Sequence, residues 1–329
     1  MSGTPQPVNN SLSLVHGRYF SRFGLENNIH CVPVDERQER RYDEINDVLR
    51  QLLGRTVLPP DLHLDSVEDP EVLECGFGKG AWIDDLLKEN DQLEIEVIGV
   101  DIFTGKGNNG DDSESPEESG SEEEGIEEYI KTRFNMNAPF REERSGSLRP
   151  EKFHLVNSRL LIDGINASRW PAFVKDLKAV LCPGGWLQMV EFHPLVQSFS
   201  GRDAPFLDRW SQTYMRTLEQ MGKEPRCGPR LNQYMRDAGF EHIHSHAEVL
   251  PIGPWKEGRA SLGNDCLAVI KDMIGSVSLW GLLQVAGMSS DEYRALIAGA
   301  QAELLKRELK LYFNVYVSYG QRPGSSRRR

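Results

Sequence analysis

The run Leu73-Glu74-Cys75-Gly76-Phe77-Gly78-Lys79-Gly80-Ala81-Trp82 constrains this chain more than any other. Apolar residues, then alternate glycines, then a helix-forming stretch read as a buried strand, a loop of bare backbone and the first turn of a helix. Glu74 stands two residues before the first glycine, and Asp101 closes the next apolar run, Glu96-Val97-Ile98-Gly99-Val100. A strand–loop–helix–strand unit of this kind belongs to a parallel sheet whose ligand crevice lies at the carboxyl ends of its strands. Glycines let a ligand approach the backbone with no side chain in the way. An acid ending the second strand can accept hydrogen bonds from both hydroxyls of a ribose. The layout therefore predicts a pocket for an adenosine-bearing cofactor.

Two cofactors fit the loop. Gly76, Gly78 and Ala81 satisfy the dinucleotide pattern G-x-G-x-x-G/A. Glu74 with Gly76, Gly78 and Gly80 satisfies the pattern E-x-G-x-G-x-G of S-adenosylmethionine enzymes. A pyrophosphate wants a helix N-terminus and no anion nearby. The methionine end of S-adenosylmethionine carries an ammonium that Glu74 can serve, which favours the methyl donor.

The 329 residues, 39% of them hydrophobic, support one large domain with a full core. The net charge of −12 is local, because ten acids and no base fall within residues 111–128. The remainder is nearly neutral, and nothing predicts the clustered basic face of a nucleic-acid binder. The tail Arg327-Arg328-Arg329 is too short to change that. Five scattered cysteines without a C-x-x-C pair fit a reduced, intracellular protein with no zinc cluster. The polar N-terminus lacks a signal-peptide core, and no stretch approaches the ~20 apolar residues of a membrane span. A soluble protein of cytoplasm or nucleus is expected.

Along the chain, residues 1–15 read as a disordered tail. A helix is predicted over 35–53, with Asp35 as N-cap and Gly54 as its stop. Strands are predicted at 71–75, 95–101, 132–136, 153–158 and 186–192, with helices over 81–89 and 170–181 between them. A further strand near 240–248 and a last one over 310–321 follow. The alternation implies a parallel Rossmann-like sheet with helices on both faces, and this order resembles the way a seven-stranded methyltransferase core ends, with its last strand antiparallel. The core is drawn from 70–200, 240–250 and 310–321 of a single domain spanning 16–323. A helical lid is drawn from 16–60, 203–238 and 255–308. Residues 104–128 form an acidic insertion with almost no apolar residue, and 324–329 a basic tail.

At this point the residues resemble the fungal methyltransferases of secondary metabolism that are similar to the velvet-complex regulator of those pathways. The resemblance runs over residues 17–323. It is carried by Gly17-Arg18-Tyr19, Val32-Pro33-Val34-Asp35-Glu36, the glycine loop, Gly99-Val100-Asp101 and Leu155-Val156-Asn157-Ser158-Arg159. It continues through Pro183-Gly184-Gly185-Trp186-Leu187-Gln188, Pro251-Ile252-Gly253-Pro254-Trp255 and Tyr316-Val317-Ser318-Tyr319-Gly320. It implies a class I S-adenosylmethionine-dependent methyltransferase acting on oxygen or nitrogen of a small fungal metabolite. It also implies an alternative: a cofactor-binding regulator working through velvet-type partners, or as a homodimer. Two features depart from the pattern. Phe77 and Lys79 stand where small or hydroxylated residues are usual, so Lys79 must turn away from the sulfonium. The acidic insertion after Asp101 is the other.

Within this frame Asp101 is expected to hold the ribose, Ile102 to pack on the adenine, and Asn135 or Asn137 to reach its amino group. Ser158 and Arg159 end a strand beside the expected methyl. Glu191 and His193 end the next strand, where a general base could sit. Methyl transfer needs chiefly in-line positioning in a dry site, so the base is optional. His242, His244 and His246 alternate along one strand, the beginning of a metal site without an evident partner; no metal is expected. Trp210, Tyr214, Trp255, Trp280 and Tyr293 either line an acceptor pocket or form a core stripe.

Overall fold

The computed structural model describes residues 11–54, 58–104 and 129–324. In chain order its first half runs β1 (Leu12–Val15), β2 (Arg18–Ser21), α1 (Arg22–Asn27), α2 (Glu36–Leu53), β3 (Glu71–Cys75), α3 (Ala81–Glu89), β4 (Glu96–Asp101), β5 (Ile130–Arg133) and β6 (Phe153–Arg159). The second half runs α4 (Trp170–Val180), β7 (Leu181–Phe192), β8 (Gln197–Ser198), α5 (Pro205–Gln220), α6 (Cys227–Ala238), β9 (Glu241–Pro251), α7 (Ala260–Trp280), α8 (Ser290–Leu304) and β10 (Leu311–Gln321).

The main sheet has the order β5-β4-β3-β6-β7-β10, with β9 on the far edge of β10. Strands β3 to β7 are parallel. β10 is antiparallel to both β7 and β9, and the short β8 pairs with its first residues. This is the α/β sheet that the alternation predicts, with the inverted last strand that the likeness to a methyltransferase core implies. β3 lies in the middle: the chain runs outward to β4 and β5, then crosses back to β6 and β7. That reversal opens a crevice at the carboxyl ends of β3, β4 and β6.

Side chains alternate between the two faces. Leu73, Ile98, Val156, Leu187 and Met189 point toward α4 and α6. Val72, Val97, Leu155 and Trp186 point toward α3. β10 sends Leu311, Phe313, Val315 and Val317 into a third body of core, shared with α2, α5, α7 and α8. Each such fully buried side chain contributes about 1.5–3 kcal/mol. α2 starts and stops as its sequence predicts. The Asp35 carboxylate accepts the Gln38 N–H at 3.2 Å, and Gly54 ends the helix in the left-handed region at φ +78°.

Several expectations change. Residues 12–15, read as part of a disordered tail, form β1 by pairing with β2; residues 1–10, the acidic segment 105–128 and the tail 325–329 lie outside the described residues. Residues 203–238, read together as lid, divide: α5 joins the helical body, whereas α6 covers the sheet beside α4. Residues 260–285 are long and apolar enough to cross a membrane by length and composition, although no such stretch was expected. More than half of that helix is buried, packed against α2 and the other helices of its core.

Candidate functional site

The ends of β3, β4 and β6 open on a cleft of about 440 Å³. Its floor is the loop after β3, residues 101–104 and the loop 159–165. Its roof is the segment before α2 and the inner face of α2. Gly76 turns the chain out of β3 at φ +76°, and a Cβ there would lie 2.4 Å from Leu161 Cδ2. Gly99 is bare because the Phe77 ring lies on it, 2.8 Å from where a Cβ would stand. Phe77 thus packs down onto the sheet, edge-on to Tyr129 at 5.7 Å. Lys79 turns aside as required, its Nζ 3.0 Å from the Glu39 carboxylate of α2.

Asp101 is held as a ligand-binding acid should be. Oδ2 accepts the Gly78 N–H at 3.1 Å and Oδ1 the Phe103 N–H at 3.2 Å. Burial pushes its carboxyl up, while His30 and these N–H groups pull it back. Ile102 packs beside it with Phe23, Ile29 and Phe103. Across the cleft, Asn135 Oδ1 accepts the Asn137 N–H at 3.0 Å. Asn137 Nδ2 donates to the Gly164 carbonyl at 2.8 Å.

Glu74 anchors a polar row inside the sheet. Strand register places Gly99, Glu74, Asn157 and Gln188 side by side. Gln188 Nε2 donates to Asn157 Oδ1 at 3.1 Å, and Asn157 Nδ2 to Glu74 Oε2 at 2.6 Å. Burial pushes the Glu74 carboxyl up to about 8, against the Arg159 guanidinium and the Asn157 bond. Arg159, two residues beyond Asn157 on the same strand face, brings Nε to 3.9 Å from Glu74 Oε1. Its Nη1 donates to Asn46 Oδ1 at 3.0 Å, and its Cζ lies 5.8 Å from the Trp82 ring.

Three residues of the cleft have no motif to announce them. His30 Nδ1 stands 3.1 Å from the Asp163 carboxylate, and its Nε2 lies 3.1 Å from the Tyr42 hydroxyl. A carboxylate only accepts, so Nδ1 carries the proton and Nε2 of the neutral ring is an acceptor. Burial alone would lower the His30 pKa; Asp163, then Asp101, carry it above its ordinary value. Burial likewise opposes charge on Asp163, yet His30 and Lys223 hold it below the usual carboxylate range. Asp163 stands four residues past Arg159, and the Asp163-Gly164 turn was the one sequence signal that could have found it.

Of the expected cofactor-binding residues, Glu74, Gly76, Gly78, Asp101, Ile102 and Asn135 line the cleft, as does Arg159. Gly80 caps α3 against the Tyr129 hydroxyl instead. Ser158 is wholly buried on the opposite side of its strand, its Oγ without a hydrogen bond among the described residues. Glu191 and His193, expected as a base, do not line the cleft. The loop 160–165 folds over the end of β7 and Glu191 Oε1 accepts its Leu161 N–H at 2.8 Å. His193 is half-buried and its pKa is lowered by burial and then by Arg226.

None of the five aromatics lines this cleft; Trp210 and Tyr214 are core, Tyr293 packs against it, and Trp255 and Trp280 are half-buried. Trp210 stacks on Tyr214 and donates to the Ile274 carbonyl. Trp280 lies against Phe20, Tyr293 donates to the Gly275 carbonyl and Trp255 to that of Leu311. On β9, His242, His244 and His246 are exposed, and His244 stacks on Tyr319.

Comparison with known proteins agrees with the resemblance read from the motifs. The secondary metabolism regulator LAE1 of Cochliobolus heterostrophus is 21% identical over 98% of this chain and 98% of its own length. Methyltransferase pytC of Aspergillus terreus is 22% identical over 94% of this chain and 87% of its own. The regulator LAE1 of Pyricularia oryzae is 25% identical over 78% and 72%. No protein-family model matches the chain. Among solved structures, the YcgJ protein of Bacillus subtilis superposes with a TM-score of 0.45 at 12% identity, over 85% of this chain and 99% of that one. Haemonchus contortus phosphoethanolamine N-methyltransferase 2 in complex with S-adenosyl-L-methionine gives 0.43 at 13% identity, over 85% and 57%. The chain is similar to fungal secondary-metabolism regulators and methyltransferases.

Proposed function

We propose that the cleft binds S-adenosyl-L-methionine and that the chain transfers its methyl group to oxygen or nitrogen of a small fungal metabolite. One observation carries this reading: Asp101 and Glu74 stand at opposite ends of a bare glycine loop, inside one cleft roofed by α2. The residues fit the cofactor. In this reading Asp101 accepts the ribose hydroxyls and Ile102 packs on the adenine face, and the backbone at Gly76 carries no side chain. When bound, the cofactor supplies an electrophilic methyl on a sulfonium. The protein supplies orientation and exclusion of water, through α2 and the segment before it.

For a hydroxyl acceptor the proton goes to the Tyr42 hydroxyl as that hydroxyl gives its own proton to His30 Nε2, the ring being fixed by Asp163 at Nδ1. His30 therefore takes the role that the sequence reading gave to Glu191 and His193. Replacing His30 with Gln is expected to slow transfer to a hydroxyl by roughly 10²-fold. S-adenosylhomocysteine should still bind.

A second reading is favoured by the regulators among the full-length relatives. In it the chain binds the same cofactor and works through a velvet-type partner in the nucleus. Incubation with labelled S-adenosylmethionine and an extract of the producing organism tests the first reading. Label in a small metabolite supports it; label in no metabolite and no protein counts against catalysis.

A further inference from the structure

A buried cation stands behind the loop that presents Asp163. Lys223 lies on the link between α5 and α6 and is only 3% exposed. Backbone brings it there: Asn166 and Lys223 pair as an isolated antiparallel bridge, and the Ala167 N–H donates to the Gly222 carbonyl at 2.8 Å. Its Nζ donates to Asn166 Oδ1 at 2.6 Å and to the Gly164 carbonyl at 3.4 Å. The Gly164 carbonyl also accepts from Asn137, so the residue after Asp163 is gripped twice. Both acceptors of Lys223 are neutral, and a buried ammonium needs a countercharge. Asp163 supplies it. Asp163 is in turn committed to one histidine: its carbonyl accepts the His30 N–H at 3.1 Å, and its carboxylate faces His30 Nδ1. The charged and titratable groups facing His30 are thus Asp163 from the loop after β6, Asp101 from β4, Tyr42 from α2 and Lys223 from behind. Cys31 and Tyr214, which also feel Asp163, are kept neutral by burial. The two acids favour the charged ring, and Lys223 opposes it.

Resting on the reading of Tyr42, His30 and Asp163 as a proton relay, we propose that Lys223 is its positioning residue, holding the Asp163 carboxylate charged and in place from outside the cleft. Lys223 does not line the cleft and touches neither cofactor nor acceptor. Its effect is on which form of His30 the relay starts from. A ring charged at rest has no acceptor at Nε2 and cannot take the Tyr42 proton. With two acids facing it and no cation behind them, His30 would charge at a higher pH. Lys223 therefore extends toward acid the range in which the relay is open. It also keeps the proton on the ring, because Asp163 stays ionised before and after the step. The protons balance: one passes from the acceptor hydroxyl to Tyr42, one from Tyr42 to His30 Nε2, and Lys223 gives and takes none. Burial lowers the Lys223 ammonium to about 8, so it keeps its charge through the range in which a histidine titrates.

The test is an NMR titration of the His30 ring in the full chain without cofactor, read from its imidazole nitrogens and carbon-bound protons. In the unaltered protein the neutral ring should carry its proton on Nδ1. Lys223→Gln keeps a donor for Asn166 and removes the charge, and should raise the His30 pKa by at least about half a pH unit. Lys223→Arg keeps the charge and should return it to within about 0.2 of the parent value. The exposed His244 of β9 serves as the control and should not move. A folded Lys223→Gln protein whose His30 pKa is unchanged or lowered overturns the proposal, since a purely structural grip on the loop would give that result. Should Lys223→Gln fail to fold, the unaltered protein decides: the Lys223 ζ-nitrogen shift should step as His30 titrates, and the absence of a step overturns the proposal. A neutral ring protonated on Nε2 in the unaltered protein would instead overturn the relay on which the proposal rests.

Discussion

Two buried carboxylates, Glu74 near the end of β3 and Glu191 near the end of β7, differ in what surrounds them. Both are penultimate in parallel strands of one sheet. Burial pushes both up to about 8. Glu74 opens on the cleft, with Asn157 on one oxygen and Arg159 near the other. Glu191 is closed off, one oxygen accepting the Leu161 N–H and the other without a hydrogen bond among the described residues. The difference lies in the loop 160–165. Leaving β6, it crosses the end of β7 and takes the space a ligand would need, while the glycine loop after β3 leaves that space empty. A strand-end acid becomes a ligand-binding group only where the following backbone stays out of its way.

The comparison breaks or sharpens by experiment. The largest effect is expected at the ribose end of the open side. Asp101→Ala should lower S-adenosylmethionine affinity at least ~10-fold, and up to ~100-fold, the equivalent of one charge-assisted bond of about 1.5–3 kcal/mol. Unchanged affinity by calorimetric titration would break the reading of the open side altogether. Next, Glu74→Gln should weaken S-adenosylhomocysteine by about tenfold, whereas Glu191→Gln should leave it within about twofold. Equal losses in the two variants would mean that the cleft reaches β7 after all.

A stability effect follows. Gly76→Ala forces a Cβ into a left-handed turn and onto Leu161, and should cost about 1–3 kcal/mol in denaturant unfolding, in addition to any loss of binding. The smallest and most specific effect is on pH dependence. A carboxyl with a folded pKa near 8 and an ordinary unfolded value binds more protons folded than unfolded between those values. Its contribution to stability therefore falls as pH rises through that window and levels off above about 8. Glu191→Gln removes this slope, so its stability relative to the parent should rise with pH from about 4.5 to about 8. A pH-independent difference between the two would show that Glu191 titrates normally, and that loop 160–165 admits water.

His30 runs the same way. The raised His30 pKa means that its pairing with Asp163 supports the fold fully below a histidine's ordinary pKa while Asp163 stays ionised, and is lost as pH rises through the raised value. Loss of the Asp163 carboxylate in Asp163→Asn should flatten that dependence, measured as melting temperature across pH 5 to 8 against the parent, about the range where a histidine titrates.

Much of the fold was legible because it is written in local patterns. Alternating strand and helix signals announced β6 and β7, period-two alternation announced β10, helical spacing with its cap and stop announced α2, and the glycine run announced the turn from β3 to α3. β1 was not legible: Leu12–Val15 is only four residues long, and its structure comes from pairing with β2 across a tight turn. α6 was misplaced because its amphipathic stripe says that it is buried and not against what. The stripe of Trp210 and Tyr214 carried the same ambiguity.

For the candidate site, the sequence by itself determined the adenosine-binding half. Glu74, Gly76, Gly78 and Asp101 lie within 28 residues, and the strand ends that carry them are adjacent by the rules of parallel sheets. Tertiary structure alone decided the rest: that His30 and Tyr42 descend from the roof onto Asp163, that Asn46 fixes Arg159, and that Glu191 is shut in by a loop from the neighbouring strand. Such contacts join residues dozens of positions apart through packing of α2 on the sheet. Their geometry depends on how helices and loops fill space, which no local periodicity records.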